Sequence, residues 1–227
     1  MRLAKQHLDL GLFTTNEQAM LEFWRRDVGL AFEETLPLGG GVRQHRHAMN
    51  GSVLKLNAAR DPLNDAPPSG YRELLIAREG LTEPRTLVDP DGNRVTLVPP
   101  GLDGIRGIAV RLAVRDATAC ARFYGEAMQF DQAGDGRFRG GDSLLIIHQD
   151  PTAVRTEPMR APGFRYLTVQ VWDVDADHAG IVARGGEEGR PPVTLGSTAR
   201  VSFVRDPDGN WIEISQRASL TGDLPSS

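Results

Sequence analysis

Residues 89–98 read DPDGNRVTLV, and residues 206–215 read DPDGNWIEIS. Each copy follows a strand-like run, Arg85–Val88 in the first and Val201–Arg205 in the second, and each opens another. Asp-Pro-Asp-Gly-Asn is turn chemistry: proline presets φ, glycine takes a positive φ, and the Asp and Asn side chains bond the local backbone. Each copy therefore reads as a hairpin, and its duplication makes the chain a repeat.

The repeat extends outward from the hairpins. Gly70-Tyr71-Arg72-Glu73-Leu74 matches Gly163-Phe164-Arg165-Tyr166-Leu167 upstream of each turn. Glu22-Phe23-Trp24 echoes Arg122-Phe123-Tyr124, and Asn50-Gly51-Ser52-Val53-Leu54 echoes Gly141-Asp142-Ser143-Leu144-Leu145. The halves, 1–102 and 103–217, are homologous on this internal evidence, and 218–227 is expected to be a flexible tail.

Periodicity divides each half into units. His7–Phe13 alternates with Leu8, Leu10 and Leu12 on one face, a half-buried strand. A helix follows to about Asp27, with Thr15 and Gln18 spaced as a capping box and Gly29 as the stop. Strands are expected near 31–36, 42–48 and 52–57, the last two joined by Asn50-Gly51, a strong hairpin signal. This βαβββ pattern recurs from Ile108, where Asp116 caps the helix, and from Tyr166, where Asp173 or Asp175 does. The second unit is abbreviated, because only about eight residues separate the strand Arg72–Ala77 from Arg85, too few for a crossover helix.

Composition narrows the partners. Net charge is −4 over 227 residues, and Lys and Arg are scattered, which argues against a nucleic-acid partner. Cys120 is the sole cysteine, so no internal disulfide forms and a reducing, cytoplasmic setting is expected. No run reaches about 18 apolar residues, so no membrane partner is expected. The remaining expectation is a small-molecule ligand, on a monomer or a homodimer.

Four βαβββ-like units with DPDGN before a final strand resemble the vicinal oxygen chelate superfamily, which includes glyoxalase I, methylmalonyl-CoA epimerase, fosfomycin-resistance enzymes, extradiol ring-cleavage dioxygenases and bleomycin-binding proteins. The motifs that carry the resemblance are DPDGNWIEI, Val114-Arg115-Asp116 before a helix, and Phe123-Tyr124 within it. The resemblance implies an α+β fold in which tandem βαβββ modules form two half-barrel domains: modules one and two in 1–102, the second abbreviated, and modules three and four in 103–217. It also implies a divalent metal (Zn, Ni, Fe, Mn or Co) held inside the barrel by first-strand and last-strand residues.

The resemblance assigns candidate residues by position. His7 stands where the family often has a metal-binding histidine, Glu73 stands at the first-strand ligand position of unit two, and Glu213 keeps the family's final-strand carboxylate; these three are the candidate ligands, and Glu73 and Glu213 the candidate proton carriers. Lys55 replaces the family's carboxylate in unit one and is a departure, since a protonated lysine does not ligate a cation. Thr96, Ala109 and Ile146 are further departures. Strand parity turns Gln44, Arg46, Lys55 and Asn57 toward the barrel, with Arg46 facing Lys55 across the hairpin, a pocket for a carboxylate or phosphate. Tyr166, Trp211 and His148 complete the candidate substrate-binding set. His45 and His47 have outward parity and read as surface histidines.

The pairing of modules stays open, one with two and three with four, or one with four. Three functions follow. The first is a metal-assisted lyase or isomerase of glyoxalase type, acting on a small oxygenated, anionic metabolite. The second is a metal-free binding or resistance protein that sequesters a small molecule. The third, an extradiol-type dioxygenase, fits less well because its histidine positions hold Ala109 and Tyr166.

Overall fold

The computed structural model describes residues 1–224; the end of the expected tail, 225–227, lies outside the described residues. Unit one is β1 (Asp9–Thr14), α1 (Glu17–Glu22) continued by a wider π-helical turn (Phe23–Asp27), β2 (Ala31–Gly39), β3 (Val42–Met49) and β4 (Ser52–Ala59). Unit two is β5 (Tyr71–Ala77), β6 (Arg85–Val88) and β7 (Arg94–Val98), without helix or fourth strand. Unit three is β8 (Ile108–Val114), α2 (Ala117–Arg122) with the same wider turn (Phe123–Ala127), β9 (Asp131–Gly134), β10 (Arg137–Gly140) and β11 (Ser143–Gln149). Unit four is β12 (Gly163–Gln170), α3 (Val174–Ala183), β13 (Glu187–Leu195), β14 (Ala199–Arg205) and β15 (Trp211–Arg217), followed by α4 (Ala218–Thr221).

The local chemistry makes most of these elements as the sequence implies. Asn50 and Gly51 both take positive φ, +51° and +82°, which is the two-residue turn between β3 and β4. Asp116 and Asp173 cap α2 and α3 by accepting from the backbone N–H three residues on, each at 3.0 Å. The Thr15–Gln18 capping box does not form. Asn16 is the N-cap of α1 and makes no side-chain cap bond; its own N–H donates to Thr14 Oγ1 at 2.8 Å.

The DPDGN hairpins are held by their first aspartate. Asp89 Oδ1 accepts from the N–H groups of Asp91 and Asn93, and Asp206 Oδ1 from those of Asp208 and Asn210, at 2.8–3.0 Å. Asp206 is fully buried and takes a further bond from the Tyr124 hydroxyl at 3.0 Å. Burial pushes its carboxyl up to about 6.

The strands form two sheets that cross the boundary between the halves. The eight-stranded sheet runs β13-β14-β15-β12-β1-β4-β3-β2, so unit one joins unit four through the antiparallel pair β1–β12. The seven-stranded sheet runs β6-β7-β5-β8-β11-β10-β9, so unit two joins unit three through β5–β8. One continuous core lies between them, drawing Leu10, Leu12, Leu54 and Leu56 from the first sheet and Leu74, Ile76, Val110 and Leu112 from the second. The helices plug into the same core: Met20 and Trp24 of the first are fully buried, and Trp24 packs edge-on to Phe164 of unit four. Burial of each such side chain contributes about 1.5–3 kcal/mol.

The two sheets differ on their other faces. In the second, Leu75, Ala77, Val98, Ala109 and Leu144 pack on one another and on Ile105 from the connection between the halves. That face is filled by its own side chains. The first sheet instead keeps an open cleft of about 410 Å³ between units one and four. No helix is long and apolar enough to cross a membrane.

Candidate functional site

The cleft is floored by β1, β4, β12 and β15, whose inward residues follow from alternation along each strand. In register, Gly11 lies between Lys55 on one side and Tyr166 on the other, and Thr168 lies beside Glu213. Gly11 is required by this packing: a Cβ there would stand 2.1 Å from the Tyr166 ring. The walls rise through β3 and β14 to the edge strands β2 and β13, with Leu36 and Leu38 on one side and Val193 and Leu195 on the other. A space of this size suits a small organic molecule.

A hydrogen-bonded ion pair sits at the centre. Lys55 Nζ donates to Glu213 Oε2 at 2.8 Å and to Thr168 Oγ1 at 2.7 Å, and the Thr168 hydroxyl donates to the same Glu213 oxygen at 2.8 Å. Lys55 is buried, while the Glu213 side chain keeps 13% of its surface exposed. Beside this pair the Tyr166 hydroxyl accepts from Asn57 Nδ2 at 3.1 Å and from Gln44 Nε2 at 3.3 Å. Burial, and then the Glu213 charge, raise the Tyr166 pKa above its usual value, so the phenol stays protonated.

The cleft is electropositive. Arg46, Lys55, Arg160, Arg190 and Arg217 line it, against Glu213 as the carboxylate. Arg46 and Lys55 face each other across β3 and β4, as parity requires. Their repulsion is relieved because each has its own acid: Arg46 Nε lies 3.2 Å from Glu34 Oε1 at the rim, and Lys55 holds Glu213.

The candidate residues are dispersed. Arg46, Lys55, Asn57, Tyr166 and Glu213 line the cleft together. Trp211 lies behind Phe203, ring centroids 6.0 Å apart, with its indole N–H on the Glu157 carbonyl. His7, expected on the inward parity of β1, precedes that strand. Leu8 N–H is tied to Ser143 Oγ of unit three, and the His7 ring sits by Gly51 with Nε2 3.9 Å from Asp142. Glu73 belongs to the second sheet, where it takes the Thr96 hydroxyl at 2.6 Å and pairs with Arg111 at 2.9 Å. His148 is exposed on β11 of that sheet.

These positions do not suit a divalent ion. His7, Glu73 and Glu213 stand in three separate surroundings, and among the described residues no three His, Cys, Asp or Glu side chains converge. Where the resemblance puts the barrel carboxylate of unit one, the Lys55 ammonium already neutralises Glu213. A lysine cation, a threonine hydroxyl and a protonated tyrosine are a poor donor set for a metal.

Two expectations about neighbours need correction, and several site residues were missed. His45 and His47 face away from the cleft but are not on the surface. Both are buried under the first helix, His45 on Glu17 and Thr35, His47 against Arg25, and burial lowers the His47 pKa to about 4. Besides Thr168, Arg160 and Arg190, the missed residues include Gln170 and Arg217, both in the cleft lining. Parity could have found them: the inward series 166, 168 ends at 170, and 211, 213, 215 ends at 217.

The chain was compared with known proteins. Residues 106–214 match the model of the Glyoxalase/Bleomycin resistance protein/Dioxygenase superfamily. Among solved structures, glyoxalase I from Zea mays superposes with a TM-score of 0.72 at 15% identity, over 95% of this chain and 92% of that one. A Bacillus subtilis subsp. subtilis str. 168 protein for which dioxygenase activity is suggested gives a TM-score of 0.68 at 12% identity, over 95% and 86%. At these identities the likeness is one of fold. No curated protein matches by sequence. Residues 106–214 thus resemble the glyoxalase/bleomycin resistance protein/dioxygenase superfamily by sequence, and nearly the whole chain shares the fold of glyoxalase I.

Proposed function

We propose that the protein binds a small anionic metabolite in the cleft between units one and four, and does so without a metal. The observation that carries this reading is the charge of the lining: five cationic side chains against one carboxylate, itself already paired with Lys55. An anion entering such a partly desolvated, apolar-walled space meets guanidinium groups able to bond it bidentately. The filled face of the second sheet supports a single working site, with units two and three as scaffold. On this reading the chain is closer to the sequestering members of the superfamily it resembles than to the metal-assisted ones.

The test is a thermal-shift screen of small anions against matched neutral compounds, with and without EDTA. Anions are expected to raise the melting temperature, the shift to be unchanged by EDTA, and Arg46→Ala to abolish it. Stabilisation by neutral compounds alone, or loss of the shift with EDTA, overturns the reading.

Glu213 supports a second reading, in which the bound anion is also turned over by proton transfer. Among the described residues both of its hydrogen bonds end on Oε2, and the side chain is part-exposed to the cleft, leaving the other oxygen for a ligand. A binding-competent Glu213→Gln variant that loses turnover supports this reading. Unchanged conversion in that variant removes it.

A further inference from the structure

We propose that the cleft takes a singly charged carboxylate in one fixed orientation, its head between Arg46 and Arg217 and its apolar body against Phe13, Tyr166 and Phe203. This rests on the cleft being a binding site, and adds the ligand class and the way it lies.

The cleft has two chemically different ends. β12 and β15 run parallel to each other, so their last inward residues, Gln170, Ser215 and Arg217, come together at one end. β1 runs antiparallel to β12 and parallel to β4, which brings the start of β4, and with it Arg46 on β3, toward that same end. At the other end Phe13, Val42, Met159, Tyr166 and Trp211 form a separate buried cluster, with Phe203 packed against it. Arg190 lies over Phe203 and Trp211, 5.6 Å from each ring centroid, so this end offers ring faces with one cation above them, and a ligand spanning both ends has a polar head at the first and a ring or chain at the second.

Charge accounting at the polar end gives the charge of the ligand's head. Three carboxylates are there, and each has its own cation: Asp9 with Lys5 at 2.6 Å, Glu34 with Arg46 at 3.2 Å, and Glu213 with Lys55 at 2.8 Å. Among the described residues Arg217 has no carboxylate partner, although it is partly buried and close enough to Arg46 to feel its charge. Burial first, and then Arg46, lower the Arg217 pKa from its usual value, against the smaller opposing pull of Glu34, Glu213 and Asp9, none of which it bonds. A half-buried guanidinium repelled by another one costs stability unless an anion joins them. One unmatched positive charge calls for one negative charge, which a carboxylate supplies and a phosphate monoester exceeds.

One unmade hydrogen bond lies at the place of the head. Arg46 Nε is near Glu34 but forms no aligned hydrogen bond with it. Buried polar groups are rarely left so. A ligand carboxylate placed there accepts from the Arg46 guanidinium together with the Arg217 fork.

The experiment is titration calorimetry of 3-phenylpropionate, 3-phenylpropionamide and propionate into the wild-type protein, Arg217→Gln and Arg217→Lys. The wild type is expected to bind 3-phenylpropionate about tenfold or more tightly than either analogue, as one charge-assisted hydrogen bond and one buried ring each imply. Arg217→Gln is expected to bind carboxylate and amide equally, and Arg217→Lys to keep part of the preference. Should Arg217→Gln fail to fold, Arg46→Gln reads the same preference. Equal binding of carboxylate and amide by the wild type, or an undiminished preference in Arg217→Gln, overturns the orientation while leaving the cleft a binding site. No heat from 3-phenylpropionate overturns the ligand class, and the anion screen then judges the binding reading separately.

Discussion

Lys55 and Glu213 occupy corresponding final-strand positions of two homologous units, and their opposite charges let the repeats neutralise each other at 2.8 Å. A cation drawn from the chain itself thus stands beside the one carboxylate in the lining. Its removal leaves Glu213 largely buried and uncompensated, with only the Thr168 hydroxyl as donor. Lys55→Met is therefore expected to cost about 3 kcal/mol of unfolding free energy, and Lys55→Met combined with Glu213→Leu to recover most of it. Urea titrations of the four proteins of this cycle check it. Additive losses in the double variant would show that the pair contributes no coupling.

At the scale of elements, the hairpins and strands were legible because their signals are local. Asn50-Gly51 and both DPDGN turns can adopt few other conformations, and the alternation in β1, β3 and β4 states which side chains share a face. The first helix was legible in extent but not at its start, since Thr15 and Gln18 have the spacing of a capping box while the N-cap is Asn16, one residue on. Parity told which way His45 and His47 point, but not that a helix covers that face; burial there is a tertiary fact. His7 shows the same limit, because pairing, not alternation, decides where β1 begins.

The second hairpin carries a pH dependence of its own. Asp206 has a folded pKa of about 6 against an ordinary value of 3.8, so between about pH 4 and pH 6 the folded protein holds a proton that the unfolded chain has released. This group's contribution to stability is therefore lost as pH rises through that window, by an amount on the order of 2–3 kcal/mol. His47, with a pKa of about 4, acts in the opposite sense, gaining stability as pH rises, but it is common to wild type and variant and cancels in their difference. Asp206→Asn keeps an acceptor for the turn and removes the titration. The stability advantage of wild type over Asp206→Asn is expected to be largest near pH 4 and to shrink by pH 7. Parallel stability profiles for the two proteins would contradict this.

At the scale of the whole molecule, the repeat divides the chain at about residue 102, while the sheets join unit one to unit four and unit two to unit three. That grouping was beyond the sequence, because nearly identical hairpins carry no record of which unit lies beside which. It has a mechanical consequence. Each half supplies four strands of the first sheet, the first half supplies three and the second four of the other, and residues of both sheets share one core. The halves are also tied by side chains: Gly70 N–H to Asn210 Oδ1 at 2.6 Å, Tyr71 hydroxyl to the Trp211 carbonyl at 3.0 Å, and Asn57 to Tyr166. Separation at 102 would expose the edges of β1, β5, β8 and β12 together with the apolar faces behind them. Residues 1–102 and 103–217 expressed alone are each expected to lack a cooperative monomeric unfolding transition. Coexpressed, they are expected to associate and regain a single transition, read by circular dichroism and sedimentation. A sharp, concentration-independent transition in either half alone would mean that the sheets do not bind the halves into one folding unit.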